Sequence, residues 1–206
     1  NDCNASQSEK VCGGVNSSFS EVWWFYPSSS SAENNRYVVY NYQEKVWYYG
    51  VLSRTAWLDR GINTNPISAS TDNYLYLQDF GLDDGSTSPA SAVTSYIESS
   101  QMDIGDGDSF VFLQRLIPDI TFSDSTAESP SANFTLETRN YPGAAYTNST
   151  TNPVVRSATV PVEQFTNVVN VRLRGRSFAL KVESVDTGVG WRLGSPRVDL
   201  RQDGRR

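Results

Sequence analysis

Val22-Trp23-Trp24-Phe25-Tyr26, Arg36-Tyr37-Val38-Val39-Tyr40-Asn41-Tyr42 and Val46-Trp47-Tyr48-Tyr49-Gly50 are three short aromatic runs that follow Glu21, and Arg54-Thr55-Ala56-Trp57 closes the block. The gap from Pro27 to Asn35 holds four serines and two asparagines, and Gln43-Glu44-Lys45 is a polar connection of hairpin length. Runs rich in aromatic and β-branched residues, separated by turn chemistry, predict an antiparallel meander close to one blade of a β-propeller. A lone blade of this kind has two aromatic faces and no core of its own. The block therefore implies neighbouring blades, in the chain or in a partner.

Outward from this block the composition is that of an all-β protein. Aromatic residues make up 12% of the 206 positions and charged residues only 19%, with Ser, Thr, Asn, Gly and Pro in short clusters throughout. No long helix is predicted, and no apolar run has the length of a transmembrane helix, so no membrane span is expected. The chain opens on Asn1, not Met, and residues up to Ser20 lack the charged and apolar regions of a secretory signal. The expectation is a fragment or trimmed domain of a longer protein.

Histidine is absent, which removes Ser-His-Asp and Cys-His constellations, His-based metal sites and the commonest general base. Carboxylates remain: Asp83-Asp84, Glu98 with Asp103, and Asp103, Asp106 and Asp108 around Gly105 and Gly107. A glycosidase needs two such groups facing each other across a cleft. Asp followed by Gly is also what tight turns require, and this reading is preferred; a calcium loop is weakened because no Asp-x-Asp-x-Asp-Gly pattern with a downstream Glu is present. Cys3 and Cys12, nine positions apart, allow either a small disulfide loop or two free thiols, Cys12 then packing in a strand. Two thiols without histidine leave a zinc site two ligands short. No catalytic residue, metal or cofactor is expected.

Charge is unevenly spread. Residues 1–168 carry 8 Lys or Arg against 19 Asp or Glu, net −11, and residues 169–206 carry 9 against 4, net +5. Of the 17 basic residues 14 are Arg, which favours bidentate pairing or stacking over diffuse attraction. The basic end either meets an acidic partner or nucleic-acid phosphate, or pairs with the protein's own acidic face, the last being preferred. Arg172, Arg174, Arg176, Arg197 and Arg201 are the candidate interface or docking residues. In Val171-Arg172-Leu173-Arg174-Gly175 apolar residues fall on odd positions, and in Phe178-Ala179-Leu180-Lys181-Val182 on even ones. The phase flips at Gly175, predicting a bulge or tight corner at Gly175-Arg176, made tolerable by glycine's left-handed freedom, with Arg172 and Arg174 on one exposed face.

Further strands are predicted over Ser95–Asp103, Ser109–Phe122, Asn133–Arg139 and Trp191–Arg201, with polar loops over Asp124–Ser131 and Tyr146–Pro153. Ser109–Phe122 has apolar residues in both phases and is expected to be central and buried on both sides, bent or ended at Pro118. The domain boundary is placed within Asp83–Ala92, giving C-terminal propeller blades over residues 1–85 and an antiparallel, sandwich-like region over residues 86–206.

Several blocks, in this order, carry a family resemblance: Glu21–Pro27, Asn35–Tyr42, Arg54–Trp57, Tyr96-Ile97-Glu98-Ser99-Ser100, Asp103-Ile104-Gly105-Asp106-Gly107, Pro118-Asp119-Ile120, and Trp191–Arg201 with Asp203-Gly204-Arg205-Arg206. Over Val11–Arg206 the chain resembles the C-terminal part of a tail protein of short-tailed bacteriophages, the family of packaged-DNA stabilisation proteins and of the tail nozzle, or tail tubular protein B, class. The resemblance implies a non-enzymatic structural protein of the virion, made in the host bacterial cytoplasm. Such proteins form rings, usually hexameric, below the portal and adaptor; they retain packaged double-stranded DNA and conduct it during ejection. An acidic body suits a channel wall, because like charge keeps DNA from sticking.

Two other classes stay open. Trp23, Trp24, Trp47, Trp57 and Trp191 are candidate sugar-stacking residues of a glycan-binding module, or else core residues. A carboxylate-dependent glycosidase acting on a cell envelope is the third. Asn4, Asn16, Asn133 and Asn148 open glycosylation-acceptor triplets, chance matches if the chain is phage-derived.

Overall fold

The computed structural model describes residues 2–103, 107–141 and 157–204. The chain divides into two units, Asn1–Gly81 and Leu82–Arg206, slightly before the expected boundary. The reason lies in Asp83, whose Oδ1 accepts from the Gly188 N–H at 2.8 Å and so ties this segment to the C-terminal unit. Several antiparallel sheets are present and none closes on itself. Among the described residues no helix is long and apolar enough to cross a membrane.

In the first unit a 3-10 segment over Ala5–Lys10 precedes β1 (Cys12–Asn16), β2 (Glu21–Tyr26), β3 (Arg36–Asn41) and β4 (Val46–Val51), which pair in that order as an antiparallel meander. The three aromatic runs are thus consecutive strands, but the fourth strand is the glycine-containing Cys12–Asn16, not Arg54–Trp57. Its glycines make room: a Cβ on Gly14 would run into the Trp57 side chain, whose indole N–H donates to the Val15 carbonyl at 2.9 Å. Trp57 itself lies in β5 (Ala56–Leu58), which forms a second meander with β6 (Ile67–Ala69) and β7 (Leu75–Leu77). Asn34, fully buried, donates through Nδ2 to the carbonyls of Lys10 (2.7 Å) and Arg54 (3.1 Å), pinning the 3-10 segment to the sheet. Both cysteines are free, Cys3 exposed and Cys12 half-buried; burial pushes the Cys12 thiol up, partly offset by its Asn34 contact.

The second unit begins with a ribbon of β8 (Asp83–Asp84) and β9 (Ser91–Ala92). The Asp84 carboxylate accepts from the Ser86 N–H at 2.9 Å, the turn geometry expected at Asp84-Gly85, and Gly107 has φ +69°. Asp106, Gly105 and the Tyr146–Pro153 loop lie outside the described residues. Then come β10 (Ser95–Glu98), β11 (Met102–Asp103), β12 (Val111–Ile117), β13 (Ile120–Thr121), β14 (Ser131–Arg139), β15 (Ser157–Glu163), β16 (Val169–Gly175), β17 (Ser177–Ser184), β18 (Arg192–Leu193) and β19 (Arg197–Gln202). One sheet runs β10-β17-β14-β15, with β11 also on β17, and another runs β16-β12-β19. Their apolar faces meet in one cluster that includes Leu113, Leu116, Phe134, Leu136, Leu173 and Val182, each at most 2% exposed.

Three strand expectations are corrected. Ser109–Phe122 is not one strand buried on both sides. The strand ends before Pro118 and is central, both as expected, but β12 buries only Val111, Leu113 and Leu116 while Arg115 and Ile117 are exposed. A register shift between Leu113 and Arg115 explains the misleading pattern, because the extra residue exchanges the faces midway. Ser95–Asp103 and Trp191–Arg201 are likewise each split into two short strands. The strand β15 has no counterpart among the predicted strands; it is an edge strand, where Pro161 costs no ladder bond within the sheet.

Candidate functional site

The phase flip at Gly175 marks the place where the chain leaves one sheet and enters the other: β16 ends at Gly175 and β17 starts at Ser177. It is a corner, and the left-handed geometry expected there is absent, since Gly175 is not among the positive-φ glycines. Glycine is required by close approach. A Cβ at this position would lie 2.6 Å from the Thr138 Cβ and 2.9 Å from the Arg139 carbonyl oxygen, while the Arg176 N–H donates to that same carbonyl at 2.7 Å.

This corner directs the arginines to the outer face of the β16-β12-β19 sheet. Val169, Val171 and Leu173 point inward, so Asn170, Arg172 and Arg174 point outward. Register places Arg174, Phe112 and Arg201 in one row across the three strands and Asn170, Arg115 and Asp199 in the next, with Arg197 opposite Ile117 at the end. Five arginines thus share one face.

Two of them are paired within the chain. Arg174 Nε meets Asp203 Oδ2 at 2.5 Å and Arg115 Nε meets Asp199 Oδ2 at 3.0 Å. Arg174 and Arg176 also hold the Phe110 ring, their guanidinium carbons 4.0 and 4.9 Å from its centroid. Phe110 in turn binds the chain end, exchanging backbone hydrogen bonds with Asp203 (2.8 Å) and Gly204 (2.7 Å). Arg174 and Arg176 therefore fasten the last strand to the unit. Arg172, Arg197 and Arg201 are exposed and have no carboxylate partner among the described residues. Of the candidate set, Arg172, Arg174, Arg197 and Arg201 lie on this face and Arg176 stands at the corner between β16 and β17; the sequence pattern did not separate these two roles. It also missed Arg115, whose outward direction depends on the register shift.

The outer face of the opposite sheet has the other sign. Glu137 on β14 and Glu98 on β10 flank β17 and Glu163 lies on β15, outnumbering Arg139, which shares the outward phase of β14 with Glu137, and Lys181. Lys181 on this face is engaged by Glu183 at 2.5 Å. Burial, and then the Glu98 charge, push the Glu137 carboxyl above the ordinary glutamate value.

The tryptophans divide by face of the first meander. Trp23 stacks on Trp57 (5.3 Å between centroids) beside the fully buried Phe25, a core arrangement. Trp24 and Tyr40 stack on Trp47 at 5.9 and 4.5 Å on the other face, where Trp47 is 63% and Tyr49 79% exposed. Trp191 packs against the second unit's core, and its indole N–H donates to Ser95 Oγ at 2.9 Å. On the inner face Glu21 accepts from Tyr48 OH and, at 3.0 Å, from Trp23 Nε1; burial and this carboxylate raise the Tyr48 pKa. Among the described residues no group of three or more Cys, Asp or Glu could hold a metal ion. The Asp119 carboxylate is committed to the Ser195 N–H at 2.7 Å. Three sheet faces thus stand out, one aromatic in the first unit and two charged in the second. Compared with known proteins, the chain matches no family model and no curated sequence significantly.

Proposed function

We propose that this chain is part of a structural, non-enzymatic protein of a short-tailed phage tail, one subunit of a ring below the portal and adaptor that retains packaged DNA and conducts it at ejection. The observation that carries the reading is the aromatic face of the first meander, where Trp47, Tyr49 and Val51 are 63, 79 and 70% exposed on a sheet whose other face is already packed. A sheet with one filled face and one exposed aromatic face is what a propeller blade presents before its neighbour is added. The occupant proposed for it is an adjoining blade of the same ring protein, which makes the first unit part of a propeller. The acidic balance of residues 1–168 supports the conduit role through like-charge repulsion of DNA. The test is to purify particles of the parent phage and label this chain with antibody: gold at the tail supports the proposal, and particles that lack the protein contradict it.

The exposed Trp47 and Tyr49 favour a second reading, a glycan-binding module, because aromatic faces stack on sugar rings. Oligosaccharide that quenches Trp47 fluorescence, with loss of the effect in Trp47→Ala, would support it. Unchanged emission across a panel of envelope glycans would remove it.

A further inference from the structure

The two outer faces of the second unit are opposite in charge and in position. On the β16-β12-β19 sheet Arg172, Arg197 and Arg201 stand exposed, with no carboxylate partner among the described residues. On the far side of the same apolar core, Glu98 and Glu137 lie close enough for one to raise the pKa of the other, Arg139 and Lys181 on that face offsetting the rise in part, and Lys181 is itself engaged by Glu183. We propose that copies of this chain join head to tail, the arginine face of one copy seating on the Glu98–Glu137 face of the next. The inference deepens the ring reading above and rests on it. A contact between different patches on identical chains is heterologous, and it generates a ring where the rotation closes. Guanidinium groups bind carboxylates in bidentate fashion, and an arriving arginine relieves the Glu98–Glu137 repulsion. Guanidinium groups also bind phosphate in bidentate fashion, so duplex DNA is the rival occupant that the experiment must separate from a second copy.

The test is sedimentation of the full chain at low and high salt, with Arg172→Glu/Arg197→Glu/Arg201→Glu and Glu98→Arg/Glu137→Arg as charge-reversed variants. The wild type is expected to self-associate at low salt and dissociate as salt is raised. Each variant alone weakens association at least about tenfold, since like charges then face each other. An equimolar mixture of the two associates again, because each supplies the face the other has lost; this recovery also shows that both variants are folded. A wild type that stays monomeric at low salt overturns the proposal, as does a reversed variant that associates like wild type or a mixture that stays apart. Salt-sensitive binding of duplex DNA to a monomeric wild type, lost in the arginine variant, would assign the face to nucleic acid instead. Tail-located protein whose assembly ignores both reversals discards this joint and keeps the ring reading, whereas absence from the particles discards the ring reading itself.

Discussion

Gly175 has space for a hydrogen and nothing larger. A Cβ at this position would have Thr138 and the Arg139 backbone within 3.2 Å, so Gly175→Val forces the corner between the two sheets apart. It should cost about 2 kcal/mol, read as a lowered urea midpoint; an unchanged midpoint would show that the close approach is not required. Glu137 gives a prediction with a sign. Its carboxyl is held above the ordinary value of 4.5 by burial and by Glu98, against the smaller opposing pull of Arg139 and Lys181, so the native state binds this proton more tightly than the unfolded chain. The contribution favours folding below the unfolded value and is lost as pH rises through the folded one. Glu137→Gln should therefore stabilise the protein at pH 7, by less than about 1 kcal/mol after solvent screening, with the gain vanishing below the ordinary glutamate value of 4.5. A gain equal at both pH values would point to packing, not charge.

The strands differ in how openly their sequences display them. Alternation is clean in β14, where Ala132, Phe134, Leu136 and Thr138 are buried and the residues between them are not. Leu136 is fully buried in the shared cluster, and Leu136→Ala should cost about 3 kcal/mol; a thermal midpoint indistinguishable from wild type would contradict that placement. The aromatic runs are equally legible, since β2, β3 and β4 fall on them. What the sequence conceals has particular causes. The register shift at Leu113–Arg115 mixes two faces in β12, glycines hide β1, and β15 carries a proline that only an edge strand accommodates. At the candidate site the arginine alternation is visible because Val171 and Leu173 are inward, but the pairing of Arg174 with Asp203 joins residues too far apart in the chain for periodicity to connect.

The whole molecule places its aromatic and charged surfaces on sheets, with the first unit exposing an aromatic face and the second an arginine face backed by a carboxylate one. The charge imbalance along the sequence, net −11 followed by +5, is legible from the residues alone; which of these charges share a sheet face depends on strand pairings between distant segments. Such surfaces are suited to contact with other sheets, and they underlie the proposed place of this chain in a tail ring that retains DNA. The central claim is tested most directly by deleting the gene for this chain from the parent phage and measuring the DNA content of the particles formed. The account predicts capsids that package their genome and then lose it, leaving DNA-free particles that regain retention when the protein is supplied. Infectious particles with full DNA content would contradict it.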